Sequence, residues 1–161
     1  MEELTSLLRR IHLSGAEFVV IGGIAAVKHG VTLGSFVVDI CTRFTPENLR
    51  RIESAIKDLK PKFSQRKDLP FVLSDELLMT LKNLYVLTNL GRLDCLSEVA
   101  GIGDFDAVLK ESEPTTFDFG VCRILTIEAL IRAKDAIGRD KDKMTAVQLR
   151  AIKEKRDQQE S

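Results

Sequence analysis

The chain has 161 residues, with 24 Lys plus Arg against 24 Asp plus Glu and a formal net charge of zero. That length fits one compact domain able to bury a core without disulfide or metal staples. The charge balance argues against an extended basic nucleic-acid surface while leaving room for a local phosphate site. Cys41, Cys95 and Cys122 form no C-x-x-C pair, so they read as small core residues in a reducing compartment rather than as zinc ligands. The opening MEELTSLLRRIH lacks the apolar core of a signal peptide, and no apolar run approaches the ~20 residues of a membrane span. A cytoplasmic protein with no membrane contact is expected.

Leu4, Leu7, Leu8 and Ile11 recur at helical spacing, which predicts an amphipathic helix over 2–14 closed by Gly15. EFVVI (17–21) reads as a buried strand. Gly22-Gly23 then turns into a short helix ending at Gly30. A second strand is predicted over about 35–42. Thr45 and Pro46 supply an N-cap and an N1 residue for a helix with Leu49, Ile52, Ile56 and Leu59 on its apolar stripe. Residues 60–70 read as a loop, and Ser74 caps a short helix to Leu78. Residues 81–89 and 91–99 flank a turn and predict a hairpin. GIGDFDAVLKES reads as a loop with one or two helical turns, and FDFGVCRIL (117–125) as the last strand. Thr126 opens a helix that Gly138 stops, and a charged helix runs over about 142–156 before a frayed end. Strands alternating with helices and then running in succession predict an α/β (α+β) fold, a mixed sheet with helices packed against it. One domain over 1–161 is expected, helical from about 126.

Two features point to chemistry. A buried strand running into Gly22-Gly23 and then a helix presents backbone N–H groups at a helix N-terminus, where an anion can approach without a Cβ in the way. Asp39 in SFVVDICT and Asp94 in GRLDCL interrupt apolar strands, and a carboxylate there is costly unless paired, hydrogen-bonded or bound to metal. Two such groups on neighbouring strands would meet beside the glycine turn. His29 reads as a helix-end histidine with nucleotide contact as the alternative, and His12 as a solvent-facing helix residue.

With VIGGIAAVKHG, SFVVDI, GRLDCL and LTIEALIRAKDAIGRDKD in this order, the chain resembles the nucleotidyltransferase superfamily, in particular the small bacterial minimal and abortive-infection-type members. The resemblance touches residues 17–42, 91–99 and 125–142. It implies a strand, a glycine turn, an Asp-x-Asp strand and a third Asp on a later strand. In such proteins these carboxylates hold two Mg²⁺ ions on a nucleoside triphosphate while an acceptor hydroxyl attacks the α-phosphate. Asp39 then matches the second aspartate and Asp94 the third, as catalytic and metal-binding residues. Gly22, Gly23, Lys134, Arg139 and Asp142 match nucleotide-binding positions. The first aspartate is replaced by Val37 and the usual upstream basic residue by Leu33, while Ser35 keeps a hydroxyl. Glu98 and Asp104 are candidates to compensate. Two functions are implied: Mg²⁺-dependent transfer of NMP to an unknown protein, RNA or small-molecule acceptor, or a degenerate relative that binds nucleotide or a protein partner, as in a toxin–antitoxin-like pair.

Overall fold

The computed structural model describes residues 2–32 and 37–160. Leu33 and Ser35 lie outside the described residues. Helix α1 spans Glu2–Leu13 with Leu4, Leu7, Leu8 and Ile11 buried, as their spacing requires. Strand β1 (Phe18–Ile21) leads into α2 (Gly22–His29), and β2 (Val37–Thr42) into α3 (Pro46–Ile56). Thr45 accepts a hydrogen bond from the Asn48 N–H, so the predicted cap forms. Ser74 does the same for α4 (Asp75–Thr80), and Thr126 for α6 (Ile127–Ile137). Gly138, at φ 70°, closes α6 in the left-handed conformation that favours glycine.

Five more strands build out the sheet: β3 (Lys62–Phe63), β4 (Asn83–Thr88), β5 (Gly91–Leu96) and, after a short two-stranded ribbon, the two strands of the hairpin that precedes α6. The ribbon pairs β6 (Glu98–Val99) with β7 (Gly103–Asp104) and opens α5 (Phe105–Lys110). The hairpin is β8 (Ser112–Phe117) and β9 (Gly120–Leu125). Among the described residues the main sheet has seven strands in the order β3-β4-β5-β2-β1-β9-β8. β2 is antiparallel to β1 and parallel to β5, and β9 is parallel to β1. The result is the mixed α+β architecture expected. Side chains alternate along β2: Val38 and Ile40 are fully buried on one face, which sends Val37 and Asp39 to the other. Helices α1 and α3 pack on each other, and α1 also touches β2 and β5.

Several expectations change. The stretch before residue 117 forms β8, an edge strand whose Pro114 sits where edge strands tolerate proline. The 60–70 loop contributes β3, the opposite edge. Residues 98 and 99 leave the β4–β5 hairpin for the small ribbon. The last helix, α7 (Asp140–Glu160), is longer at both ends than its periodicity indicates. It is held by Leu149, fully buried, and by Arg156, whose guanidinium donates to the His29 carbonyl at 3.0 Å.

A buried polar hub ties α3 to the sheet. Asn48, 1% exposed, accepts from the Glu17 N–H at 2.7 Å and donates to Thr42 Oγ1 at 2.7 Å and the Arg43 carbonyl at 2.9 Å. Removing one partner strands the others in the interior, at about 1–3 kcal/mol for each group left unsatisfied. Asn48→Ala is therefore expected to lower unfolding stability by about 3 kcal/mol, measured by urea denaturation. A loss under about 1 kcal/mol would show that water satisfies the hub instead.

Candidate functional site

The chain turns at Gly22, where φ is 69°, a conformation that a side chain disfavours. A Cβ at Gly22 would also lie 2.8 Å from Asp39 Cβ and 2.9 Å from its Cγ. Glycine is thus required twice, by backbone conformation and by the close approach of Asp39. The N-terminus of α2 has Ile21 as its N-cap and no side-chain hydrogen bond. By contrast α3, α4, α5 and α6 are each capped by a side chain: Thr45, Ser74, Asp104 and Thr126.

Asp39 and Asp94 are Cα partners in the parallel β2–β5 pairing, so both carboxylates leave the same face about 4.8 Å apart in the strand-to-strand direction. The expectation that they meet beside the glycine turn agrees with this register. The next rung on the same face pairs Val37 with Arg92. Arg92 was not singled out in the sequence, yet its guanidinium grips Asp94 with both arms, Nε to Oδ1 at 2.8 Å and Nη2 to Oδ2 at 3.1 Å. It also lies 6.0 Å from the ring centre of Tyr85, the residue opposite Asp94 on β4.

Lys134 from α6 and Arg139 from the α6–α7 junction converge on Asp142. Lys134 Nζ is 3.3 Å from Oδ1, and Arg139 Nε is 2.6 Å from Oδ2. Asp142 is wholly buried, so it does not itself face a ligand; it fixes the two cations. Burial opposes its ionisation, but the Arg139 hydrogen bond and the Lys134 charge outweigh this and hold the carboxyl below its usual range. Ile21, Gly22, Asp39, Arg92, Asp94, Lys134 and Arg139 line one cleft of about 890 Å³, a volume in the range of small-molecule sites. Gly23 and Asp142 are not in its lining.

Of the two acids weighed as replacements for the missing carboxylate, Glu98 lines the cleft and Asp104 does not, being the N-cap of α5. Among the described residues, no group of three or more His, Cys, Asp or Glu side chains is arranged to hold a metal ion. His29 is 4% exposed, and its Nε2–H donates to the Leu125 carbonyl at 2.7 Å. It therefore braces α2 against the end of β9. His12 does not face solvent: its ring lies 5.4 Å from that of Phe119, and its Nδ1 is 3.6 Å from Cys122 Sγ. All three cysteines are buried, and burial pushes the Cys41 thiol up to about 12 and the Cys122 thiol up to about 11, values that keep them unreactive.

No protein-family model matches the sequence, and no curated protein matches it. The sheet order and flanking helices define a nucleotidyltransferase-like architecture. Among solved structures, the chain is similar to the antibiotic-resistance factor ANT(2'')-Ia, whose solution structure is described as revealing substrate-regulated conformation dynamics. The TM-score is 0.52 at 12% identity, over 97% of this chain and 96% of that one. At that identity the likeness is one of fold. Among the described residues no helix is long and apolar enough to cross a membrane.

Asp39 carries a measurable cost. Burial first, and then the Asp94 charge, raise its carboxyl to about 6, against the opposing pull of Lys134, Arg92 and Lys141. Between about pH 4 and 6 the folded protein holds a proton that the unfolded chain has released, so stability falls as pH rises across that window. The shift corresponds to about 2–3 kcal/mol near neutral pH. Asp39→Asn is expected to be more stable than the native protein by about that amount at about pH 7, with the gap closing toward pH 4. Urea denaturation of both proteins across the range checks this, and a gap independent of pH would contradict it.

Proposed function

We propose that this chain is a nucleotidyltransferase-fold protein, acting as a single domain, that binds a nucleoside triphosphate in the cleft over Asp39 and Asp94 and does not transfer NMP from it. The observation that carries the reading is the donor set. An uncapped helix N-terminus at Gly22 and fixed cations at Lys134 and Arg139 suit phosphate. The carboxylates do not suit paired Mg²⁺ ions, which require oxygen ligands in near-octahedral geometry. The Val37 side chain offers no oxygen, and both oxygens of Asp94 already accept from Arg92. Without two ions to stabilise the attacking and leaving oxygens, the chemical step loses its main electrostatic support.

The second reading, Mg²⁺-dependent transfer of NMP to an acceptor hydroxyl, is favoured by the in-register Asp39–Asp94 pair. A nucleotide-responsive protein without transfer would work through a partner, and the toxin–antitoxin-like role belongs to this proposal.

Thermal denaturation with ATP, GTP, CTP and UTP, together with a pyrophosphate-release assay, separates the readings. At least one nucleotide is expected to stabilise the protein, by about 2.7 kcal/mol at 100 times its Kd, with no pyrophosphate released. Release that is lost in Asp39→Ala would establish transfer. No stabilisation by any nucleotide would end the binding proposal.

A further inference from the structure

We propose that the cleft takes its triphosphate free of any divalent cation, with the Arg92 guanidinium occupying the Asp94 oxygens that would otherwise be available to a metal ion. This rests on the nucleotide-binding reading above and says how that binding works. Two rungs of the β2–β5 pairing set the arrangement: Val37 beside Arg92 and Asp39 beside Asp94, with the buried Val38–Leu93 rung between them. The four side chains leave one face of the sheet as a block. Were position 37 a carboxylate, the block would hold three acids around a single arginine. With valine there, the arginine and Asp94 neutralise each other and Asp39 alone remains.

The geometry of the pair sets what else can bind. Both oxygens of Asp94 face the guanidinium, at 2.8 and 3.1 Å. A divalent ion approaching Asp94 would sit against a fixed positive charge, and it would find no second carboxylate at Val37 to offset the repulsion. Arg92, in turn, uses only Nε–H and one Nη2–H on Asp94. A guanidinium has five N–H donors in a rigid fork, so three remain for phosphate oxygens. Its side chain is 43% exposed while that of Asp94 is 13% exposed, which leaves the free end of the fork open to the ligand.

Lys134 and Arg139 line the same cleft and are held by the buried Asp142. Their positions are therefore set before a ligand arrives, which lowers the ordering cost of binding. Lys82 adds a further cation to the lining. These four cations share the lining with Asp39, Asp94 and Glu98, so the phosphates are met by the free end of Arg92, Lys82, Lys134 and Arg139 and not by the acidic side chains.

Isothermal titration calorimetry of the native protein with ATP, GTP, CTP and UTP, in EDTA and in excess MgCl₂, tests the proposal without any variant. Affinity in EDTA is expected to equal or exceed that in MgCl₂. Arg92→Ala is expected to weaken binding in EDTA by about tenfold or more, the loss of a charge-assisted contact. In the double variant Val37→Asp, Arg92→Ala, binding is expected to become Mg²⁺-dependent. Native binding seen only with Mg²⁺ would overturn this proposal and leave the nucleotide-binding reading standing. No binding in either buffer would overturn both.

Discussion

The site depends on a single register. β2 lies parallel to β5 with Asp39 beside Asp94 and Val37 beside Arg92. Because the side-chain period of a strand is two, a slip of one residue would send all four to the opposite face. That face is filled by Val38, Ile40, Leu93 and Cys95, each fully buried, so the core enforces the register. The close packing of Asp39 on Gly22 adds a second constraint, since it fixes the start of α2 against the acidic strand. The groups that line the cleft are thus positioned by the hydrophobic core behind them.

Asp39 in the cleft lining and Asp142 buried behind it are in opposite electrostatic states. Asp142 is surrounded by cations and held ionised; it costs little in place and orients Lys134 and Arg139. Asp39 is desolvated, faces the Asp94 charge, and is raised to about 6. Perturbed carboxyl groups cluster at functional sites, and this is one support for the nucleotide site proposed above. Both states follow from placement: Asp142 sits at the start of α7 under two basic side chains, and Asp39 in the middle of a sheet paired on both sides.

Much of the fold was legible from local chemistry. Thr45-Pro46, Ser74, Thr126 and Gly138 mark helix ends through hydrogen bonds and backbone preferences that act within a few residues. The missed elements have weak local signals. β8 reads S-E-P-T-T-F, polar and broken by proline, and it is a strand only because β9 supplies its partner. β3 is two residues long and is defined by its pairing with β4. Likewise the acidic strands and the Lys134–Asp142 segment could be assigned in order, but not the division of labour among them. Asp142 is buried beneath its cations instead of facing the cleft. Arg92 did carry a signal: Arg-x-Asp on a strand places both side chains on one face. What that pattern lacks is the identity of the cross-strand neighbour, and Val37 opposite Arg92 is a fact of pairing.

The central claim is that the cation next to Asp94 belongs to the protein. Paramagnetic broadening by Mn²⁺ in a two-dimensional NMR spectrum, with and without bound nucleotide, addresses it directly. The account predicts that the backbone amides of Ile21, Asp39 and Asp94 keep their intensity as Mn²⁺ is added. Selective loss of those signals would place a metal ion at the Asp39–Asp94 pair and contradict the account.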